Sequence, residues 1–200
     1  MKSFPTHNFR SDRSARFRLR TCGLLLFLSL FVTSCTKDLV TSRYSTEHYV
    51  NIVFSPISAF LPLQQVLGSP GFGNPGECAV IRKYSTKVTI TSSTQQAFDC
   101  TDALVMRGSL GCGGLIVGTD YDSQYYAYDL ACPNCNQAQF RLTVPFDGRG
   151  IVTCDHCHIS YNLNNYGSIQ STEGNTLHSN PRGLFCYQIT YDGTSVTIYN

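Results

Sequence analysis

This chain of 200 residues has few charged side chains and no tryptophan. Asp, Glu, Lys and Arg make up 14% of it, and the formal net charge is +2 at pH 7. Six of the fifteen Lys and Arg residues lie within the first 20 positions, whereas the chain after Cys35 has nine basic and twelve acidic residues. The body of the protein is therefore mildly acidic, and nothing in it indicates the basic face that nucleic-acid binding requires.

Long helical patterns and internal repeats are also absent. Twelve Tyr and twelve Phe, together with frequent Gly, Ser and Thr, favour β structure. The sequence contains no Ser/His/Asp set and no phosphate-binding glycine motif that would indicate an enzyme. These features predict one mainly β domain with a sizeable core and no catalytic residues.

The longest apolar run, residues 23–34, is too short to span a bilayer alone, and it follows a basic segment, as in a signal peptide. It ends in Val32-Thr33-Ser34-Cys35, which looks like a bacterial lipobox. This resemblance implies that residues 1–34 are removed and that Cys35 carries acyl chains, which together anchor a protein stably to a membrane. We therefore expect a lipid-anchored protein of the bacterial cell envelope, at the outer membrane.

Residues 35–47 are predicted to be the lipidated cysteine and a flexible tether, and residues 48–200 to be the domain. No Arg-Arg pair precedes the apolar run, so a twin-arginine signal is not indicated. Export of an unfolded chain is hard to combine with a metal cluster that is assembled in the cytoplasm.

Strand patterns recur along the predicted domain. A final pair flanks Asp192-Gly193, a dipeptide that favours a two-residue hairpin turn. The segment Ile57–Leu67 is apolar and ambiguous, and Gly68–Gly76 has the composition of a loop. The predicted strands outside the cysteine-rich region are Tyr49–Phe54, Ala79–Ile81, Val88–Thr91, Leu115–Gly118, Tyr187–Tyr191 and Thr194–Tyr199.

Two Cys-x-x-Cys motifs, with eighteen residues between them, are the strongest chemical signal in the sequence. Each follows a run with strand character, at Tyr125–Leu130 and Gly150–Thr153, and Gln139–Val144 between them alternates like another strand. Strands that end in such motifs bring four sulfurs to one point, at a spacing found in zinc ribbons. The predicted metal ligands are Cys132, Cys135, Cys154 and Cys157.

The residues around these motifs resemble the Rieske iron–sulfur family, specifically Rieske-like lipoproteins of Bacteroidetes-type bacteria. The likeness covers about residues 114–200. It implies a mainly β, Rieske-like fold of small antiparallel sheets, with a rubredoxin-like or zinc-ribbon-like tip of two loops that holds the metal. Residues 68–111 are then an insertion without a counterpart. The matching segments are Tyr126–Leu130 with Cys132-Pro133, Val152–Cys154 with Cys157, and Tyr161–Leu163, followed by Gly167, Leu184 and Tyr187.

A Rieske site combines Cys-x-His with Cys-x-x-His, and this chain departs from that pattern. Its first loop has no histidine, and Cys157 stands where the second histidine is expected. Four thiolates suit a [2Fe–2S] cluster or zinc equally, and the spacing does not choose between them. A cluster implies one-electron transfer with an unknown redox or envelope protein, whereas zinc implies a structural role.

Disulfides are an alternative, because exported proteins meet an oxidising compartment. The mature chain has an even number of cysteines besides Cys35, and the four outside the motifs are Cys78, Cys100, Cys112 and Cys186. A fully bridged chain would be a structural or interaction protein with a degenerate, metal-free site. The pairing stays open.

A dithiol catalyst at the first motif would require a thioredoxin-like helix, which the pattern does not indicate. His156 and His158 flank Cys157 and are candidates for contacts around the metal site. Two exposed loop histidines are the simpler interpretation.

Overall fold

The computed structural model describes residues 44–68, 74–84, 87–93, 98–101 and 109–200. The predicted signal peptide, Cys35 and most of the predicted tether lie outside this part of the chain. Residues 44–47 already belong to the domain, since Tyr44 forms a parallel bridge with Cys186 and the Ser45 N–H donates to the Cys186 carbonyl at 2.7 Å. No helix among the described residues is long and apolar enough to cross a membrane.

The fold is mainly β, as predicted, with 41% of the described residues in strands and 7% in helices. The ambiguous segment after the first strand forms a 3-10 turn at Ile57–Ala59 and helix α1 at Leu61–Leu67. The strands are β1 Asn51–Phe54, β2 Cys78–Tyr84, β3 Lys87–Ser92, β4 Phe98–Thr101, β5 Leu115–Thr119, β6 Tyr125–Asp129, β7 Leu142–Thr143, β8 Ile151–Cys154, β9 Ser160–Asn162, β10 Ser168–Ser171, β11 Cys186–Tyr191 and β12 Val196–Tyr199.

The described strands form two antiparallel sheets. The larger is curled and has the order β1-β12-β11-β6-β5-β2-β3-β4, and the smaller has the order β10-β9-β8-β7. The predicted insertion supplies β2, β3 and β4, which extend the larger sheet outward from β5. This segment is therefore part of the main sheet and shares its core.

Alternating side chains give the larger sheet an apolar core on each face. Ile81 and Val117 face one core together with Leu63 of α1, whereas Val80 and Ile116 face the core that includes the smaller sheet. All five side chains are at least 96% buried. A register slip of one residue would exchange the two faces, so the alternation fixes which face meets the smaller sheet.

A buried carboxylate fixes the end of β6. Asp129 is fully buried and accepts hydrogen bonds from the N–H groups of Cys112, Gly113 and Ala131 at 2.7, 2.9 and 2.7 Å. The Tyr187 hydroxyl donates the fourth, at 2.7 Å. Four donors offset the cost of burying the charge. The Asp129 carboxylate thereby joins a glycine-rich bend and β11 to the end of β6. Asp129 lies three positions before Cys132, the first residue of the first Cys-x-x-Cys motif.

The final hairpin is confirmed, but the predicted two-residue turn is wrong. Tyr191 pairs with Val196, so the loop has four residues. The Asp192 carboxylate accepts hydrogen bonds from the N–H groups of Thr194 and Ser195 at 2.8 and 2.6 Å. The Asp192 side chain thus provides hydrogen-bond acceptors for two backbone N–H groups of the loop. In a two-residue turn, backbone carbonyls of the paired strands would accept such bonds.

The predicted strand at Gln139–Val144 is shorter than expected, because only Leu142–Thr143 joins the smaller sheet. The carbonyl of Phe140 instead accepts a hydrogen bond from the Cys132 N–H at 2.8 Å. The first half of this segment therefore forms the base of the first cysteine loop.

Candidate metal centre

The two Cys-x-x-Cys motifs fold into the same local turn, and we call Cys132–Cys135 the first knuckle and Cys154–Cys157 the second knuckle. In the first, the Asn136 N–H donates to the Cys132 carbonyl at 2.8 Å. In the second, the His158 N–H donates to the Cys154 carbonyl, also at 2.8 Å. Asn136 and His158 both have positive φ, 48° and 59°. Each knuckle is thus closed by one residue in the left-handed region.

Strand β7 brings the knuckles together. The first knuckle follows β6, and the second lies between β8 and β9. Leu142 of β7 donates its N–H to the Leu130 carbonyl at 2.8 Å and pairs with Cys154 in the ladder. A two-residue strand therefore links the chain that enters the first knuckle to the strand that enters the second.

The four predicted ligand sulfurs meet at one point, all within 4.8 Å of one another. Two of these contacts join the knuckles: Cys132 Sγ lies 3.6 Å from Cys157 Sγ, and Cys135 Sγ lies 3.8 Å from Cys154 Sγ. A disulfide would require a separation of about 2.05 Å. These four cysteines together could bind a metal ion.

The alternative of disulfides is not seen among the cysteines whose side chains the structure describes, since all seven are free. The side chains of Cys35 and Cys100 lie outside the described set. Cys78 is buried in the core facing the smaller sheet, and burial raises its pKa to about 12, with the nearby charge of Glu77 adding to the shift. This thiol is therefore protonated at neutral pH and unreactive.

The environment of the Cys132 sulfur favours a thiolate. Burial acts to raise the pKa of Cys132, but hydrogen bonds from the Tyr161 hydroxyl and from the N–H groups of Cys135 and Asn134 lower it below its ordinary value. Asn134 Nδ2 donates to the Tyr161 oxygen at 2.7 Å, which leaves the Tyr161 hydroxyl hydrogen for Cys132 Sγ at 3.4 Å. This chain of donors orients a charged ligand in a buried position.

Two neighbouring thiols, those of Cys157 and Cys135, have raised pKa values, whereas the pKa of Cys132 is lowered. Burial raises the pKa of Cys157 to about 12, although the Ile159 N–H opposes the shift. Burial and the adjacent charge of Cys132 also raise the pKa of Cys135. A metal that binds the four thiolates would displace the protons that burial favours on Cys135 and Cys157.

The connection from β10 to β11 covers the first knuckle. Arg182 donates its N–H to Asn134 Oδ1 at 2.8 Å, and Asn134 Nδ2 donates to the Arg182 carbonyl at 2.9 Å. Arg182 Nε also donates to the Pro133 carbonyl at 3.1 Å, and the guanidinium forms an ion pair with Glu47. The role of Asn134 was not predicted, although it lies inside the first motif, because its partner Arg182 is 48 residues away and no motif marks that arginine.

Of the two histidines predicted near the site, His156 reaches a sulfur. His156 Nδ1 lies 3.4 Å from Cys135 Sγ, and its ring stacks on Phe140 with centroids 3.8 Å apart. His158 is exposed, and its ring forms no hydrogen bond to a sulfur within the described part of the chain. His178, which sequence analysis missed, lies 4.0 Å through Nε2 from the same Cys135 sulfur.

Comparison with known proteins adds no relative. No protein-family model, curated protein or solved structure matches this chain. The resemblance to the Rieske family therefore stays a prediction, and the site must be interpreted from its own geometry.

Proposed function

We propose that this protein is an envelope lipoprotein whose domain binds one metal ion through Cys132, Cys135, Cys154 and Cys157. The observation that carries the proposal is the mutual proximity of the four sulfurs, all within 4.8 Å. A tetrahedral ion with metal–sulfur bonds of about 2.3 Å requires sulfurs about 3.8 Å apart. The contacts of 3.6 and 3.8 Å between the knuckles agree with that spacing.

The same spacing favours a single ion over the [2Fe–2S] cluster expected from the sequence. In such a cluster each iron takes two thiolates, and bridging sulfides hold the irons apart. Thiolates on different irons are then farther apart than two thiolates on one iron, so four sulfurs cannot all be close neighbours. A single aqueous ion also enters the protein after export, which removes the difficulty of exporting an assembled cluster.

Zinc is the ion that this geometry supports best. Four thiolates complete its coordination and leave no open position, as in structural zinc sites. The ion would join two knuckles that are also linked by β7 and by the contact between His156 and Cys135. Its role would be to hold the tip of the domain together.

Mononuclear iron in the same ligand set is the second candidate, with one-electron transfer to an envelope partner as the function. The partial exposure of Cys135, beside two imidazole rings, favours it. The other three cysteines are fully buried, so Cys135 provides the short path from the metal to the surface.

The test is the metal content and visible absorption of the protein isolated anaerobically from its own envelope. We expect one metal per chain and no acid-labile sulfide, with a colourless zinc form or a reversibly reducible coloured iron form. Apoprotein titrated with Co²⁺ should saturate at one equivalent, with the intense visible bands of a tetrahedral thiolate complex. Two irons with sulfide would overturn the single-ion site, and failure to bind any metal would overturn metal binding altogether.

Membrane anchoring through Cys35 is proposed from the lipobox alone and is tested separately. Cys35→Ser should abolish incorporation of radiolabelled palmitate and leave an unprocessed precursor, whereas Cys112→Ser should not. Normal labelling of the Cys35→Ser chain would contradict the anchor without affecting the metal site.

A further inference from the structure

Two of the four arginines that the structure describes have no acidic partner among the described residues. Arg149 and Arg182 form ion pairs with carboxylates. Arg82 and Arg141 form none with any described residue. Because arginine is effectively always charged, these two guanidinium groups carry positive charge that forms no ion pair within the described part of the chain.

Both guanidinium groups line one cleft, which we call the arginine cleft. It has a volume of about 460 Å³ and lies between β2 and β3 of the larger sheet and the segment that contains β7. Its lining combines polar and apolar side chains, and none of the described lining residues is acidic. They are Val80, Arg82, Thr91, Gln139, Arg141, Leu142, Thr143, Val144 and Phe146.

Arg82 is the most unusual of these residues. Its Nε atom is buried and has no hydrogen-bond partner. A buried N–H without an acceptor is unfavourable, and more so when the donor is charged. The cleft therefore offers a charged donor that lacks an acceptor.

A backbone hydrogen bond fixes the position of the Arg141 guanidinium. Its Nε donates to the Gly113 carbonyl at 2.9 Å, which leaves its terminal N–H groups for other acceptors. Arg141 also lines an adjoining recess together with Lys83. The positive charge of the cleft thus continues into its neighbour.

One carboxylate, that of Asp155, is hydrogen-bonded to a residue that lines the cleft. The Thr143 hydroxyl donates to Asp155 Oδ2 at 2.6 Å, but Asp155 is not among the lining residues. Thr143 is thereby already engaged, whereas Thr91 and Gln139 add neutral polar groups. Val80 and Leu142, both buried, provide an apolar floor.

We propose that the arginine cleft binds a small organic oxyanion, a carboxylate or phosphate ester with an apolar body. Guanidinium forks match the paired oxygens of these groups. The volume is in the range of small-molecule sites, and the apolar floor suits the body of such a ligand. Arg82, Val80 and Thr91 come from the segment predicted as an insertion, so the site gives that segment a function that does not depend on the metal centre.

The test uses the full mature protein with its metal content unchanged and three probes at constant ionic strength: phenyl phosphate, inorganic phosphate and benzyl alcohol. We expect phenyl phosphate to shift the Nε–Hε NMR signals of Arg82 and Arg141 but not that of Arg149. Its affinity should fall about tenfold or more in Arg82→Gln and in Arg141→Gln. Arg149→Gln, an exposed and ion-paired position, is the matched control and should bind as the wild type does.

Inorganic phosphate should bind more weakly than phenyl phosphate, and benzyl alcohol should not bind. Equal affinity of Arg82→Gln and wild type, equal shifts at Arg149, or equal binding of benzyl alcohol would each overturn the proposal. If Arg82→Gln does not fold, the NMR titration of the wild type still tests the proposal. Arg82→Lys then replaces it as the variant, because lysine retains the positive charge but lacks the guanidinium fork.

Further probes identify the source of the oxyanion. Benzoate that binds more tightly than phenyl phosphate would assign a carboxylate. Short-chain phosphatidic acid, used below its micelle concentration, would assign a lipid headgroup if it binds more tightly than phenyl phosphate, and a soluble ester if it binds more weakly. Each result supports the oxyanion site, provided that Arg82→Gln weakens the binding.

Discussion

The first and second knuckles share one backbone turn but differ in what surrounds their sulfurs. Cys132 of the first knuckle is fully buried and lies under the Tyr161 hydroxyl, which Asn134 orients. Cys135 of the same knuckle is partly exposed and meets His156, which the second knuckle supplies. The local turn thus follows from the motif, whereas the chemical character of each sulfur follows from residues that are distant in sequence.

The largest expected effect is that of Cys132→Ser. This change removes the most enclosed ligand, and a serine hydroxyl is a poor donor for a site built of soft thiolates. We expect the affinity for Co²⁺ to fall by more than about 100-fold, since changes to residues that only support a ligand already cost 10- to 100-fold. The matched control is Cys112→Ser, outside the cluster, and unchanged Co²⁺ affinity of Cys132→Ser would contradict the site.

A smaller loss is expected for Cys135→Ser. Two imidazole nitrogens lie within 4.0 Å of this sulfur, so His156 or His178 is placed to complete the coordination. The variant should still bind one Co²⁺, with weaker thiolate charge-transfer absorption, and addition of His156→Ala should weaken binding further. If Cys135→Ser binds as poorly as Cys132→Ser, the proposed difference between the two sulfurs is wrong.

Asn134→Ala should destabilise the domain by about 1–3 kcal/mol, because it removes hydrogen bonds to Arg182 and Tyr161 that hold the first knuckle. Urea unfolding of the metal-bound protein measures this difference in the free energy of unfolding. Asn165→Ala, at an exposed position, is the control and should be near neutral. Equal stability of the two variants would show that the covering connection does not support the knuckle.

The smallest effect is expected for substitutions of the two residues with positive φ that follow the knuckles, Asn136 and His158. His158 has φ of 59°, a conformation that costs a non-glycine residue roughly 1 kcal/mol. His158→Gly should therefore raise the free energy of unfolding by a few tenths to about 1 kcal/mol. Asn136→Gly should not, since asparagine tolerates this region and its side chain contacts His48 at 2.7 Å. Similar gains at both positions in urea unfolding would contradict the distinction.

Local patterns were sufficient to predict much of the sheet structure. Alternation predicted β5, β6 and β8 to within about two residues, and the Asp-Gly pair placed the final hairpin. The failures occurred where a long-range contact decided the outcome. Phe140 bonds to Cys132 and leaves β7 short, and the Asp192 carboxylate lengthens the hairpin loop. Helix α1 was left open, because a short apolar run is compatible with helix or strand.

In the candidate site, too, local patterns predicted some residues, and long-range contacts decided the rest. The four cysteines were found because Cys-x-x-Cys spacing alone brings two sulfurs to one side of a tight turn. His178 and Arg182 were not found, because no periodicity relates them to the knuckles, and the role of Asn134 within the first knuckle depends on its contact with Arg182. The arginine cleft was invisible for the same reason: Arg82 and Arg141 are far apart in sequence and meet only where β2 faces the segment of β7.

The sequence by itself determined a mainly β domain, the two knuckles and the four cysteines that could bind a metal, because these depend on alternation and on spacing within a few residues. Only the tertiary structure decided that the four sulfurs lie close enough for a single ion, that Cys135 is the one facing solvent, and that two unpaired arginines share a cleft. Those properties depend on which strands pair and which loops cover them. Such contacts join residues tens of positions apart, and no local pattern encodes them.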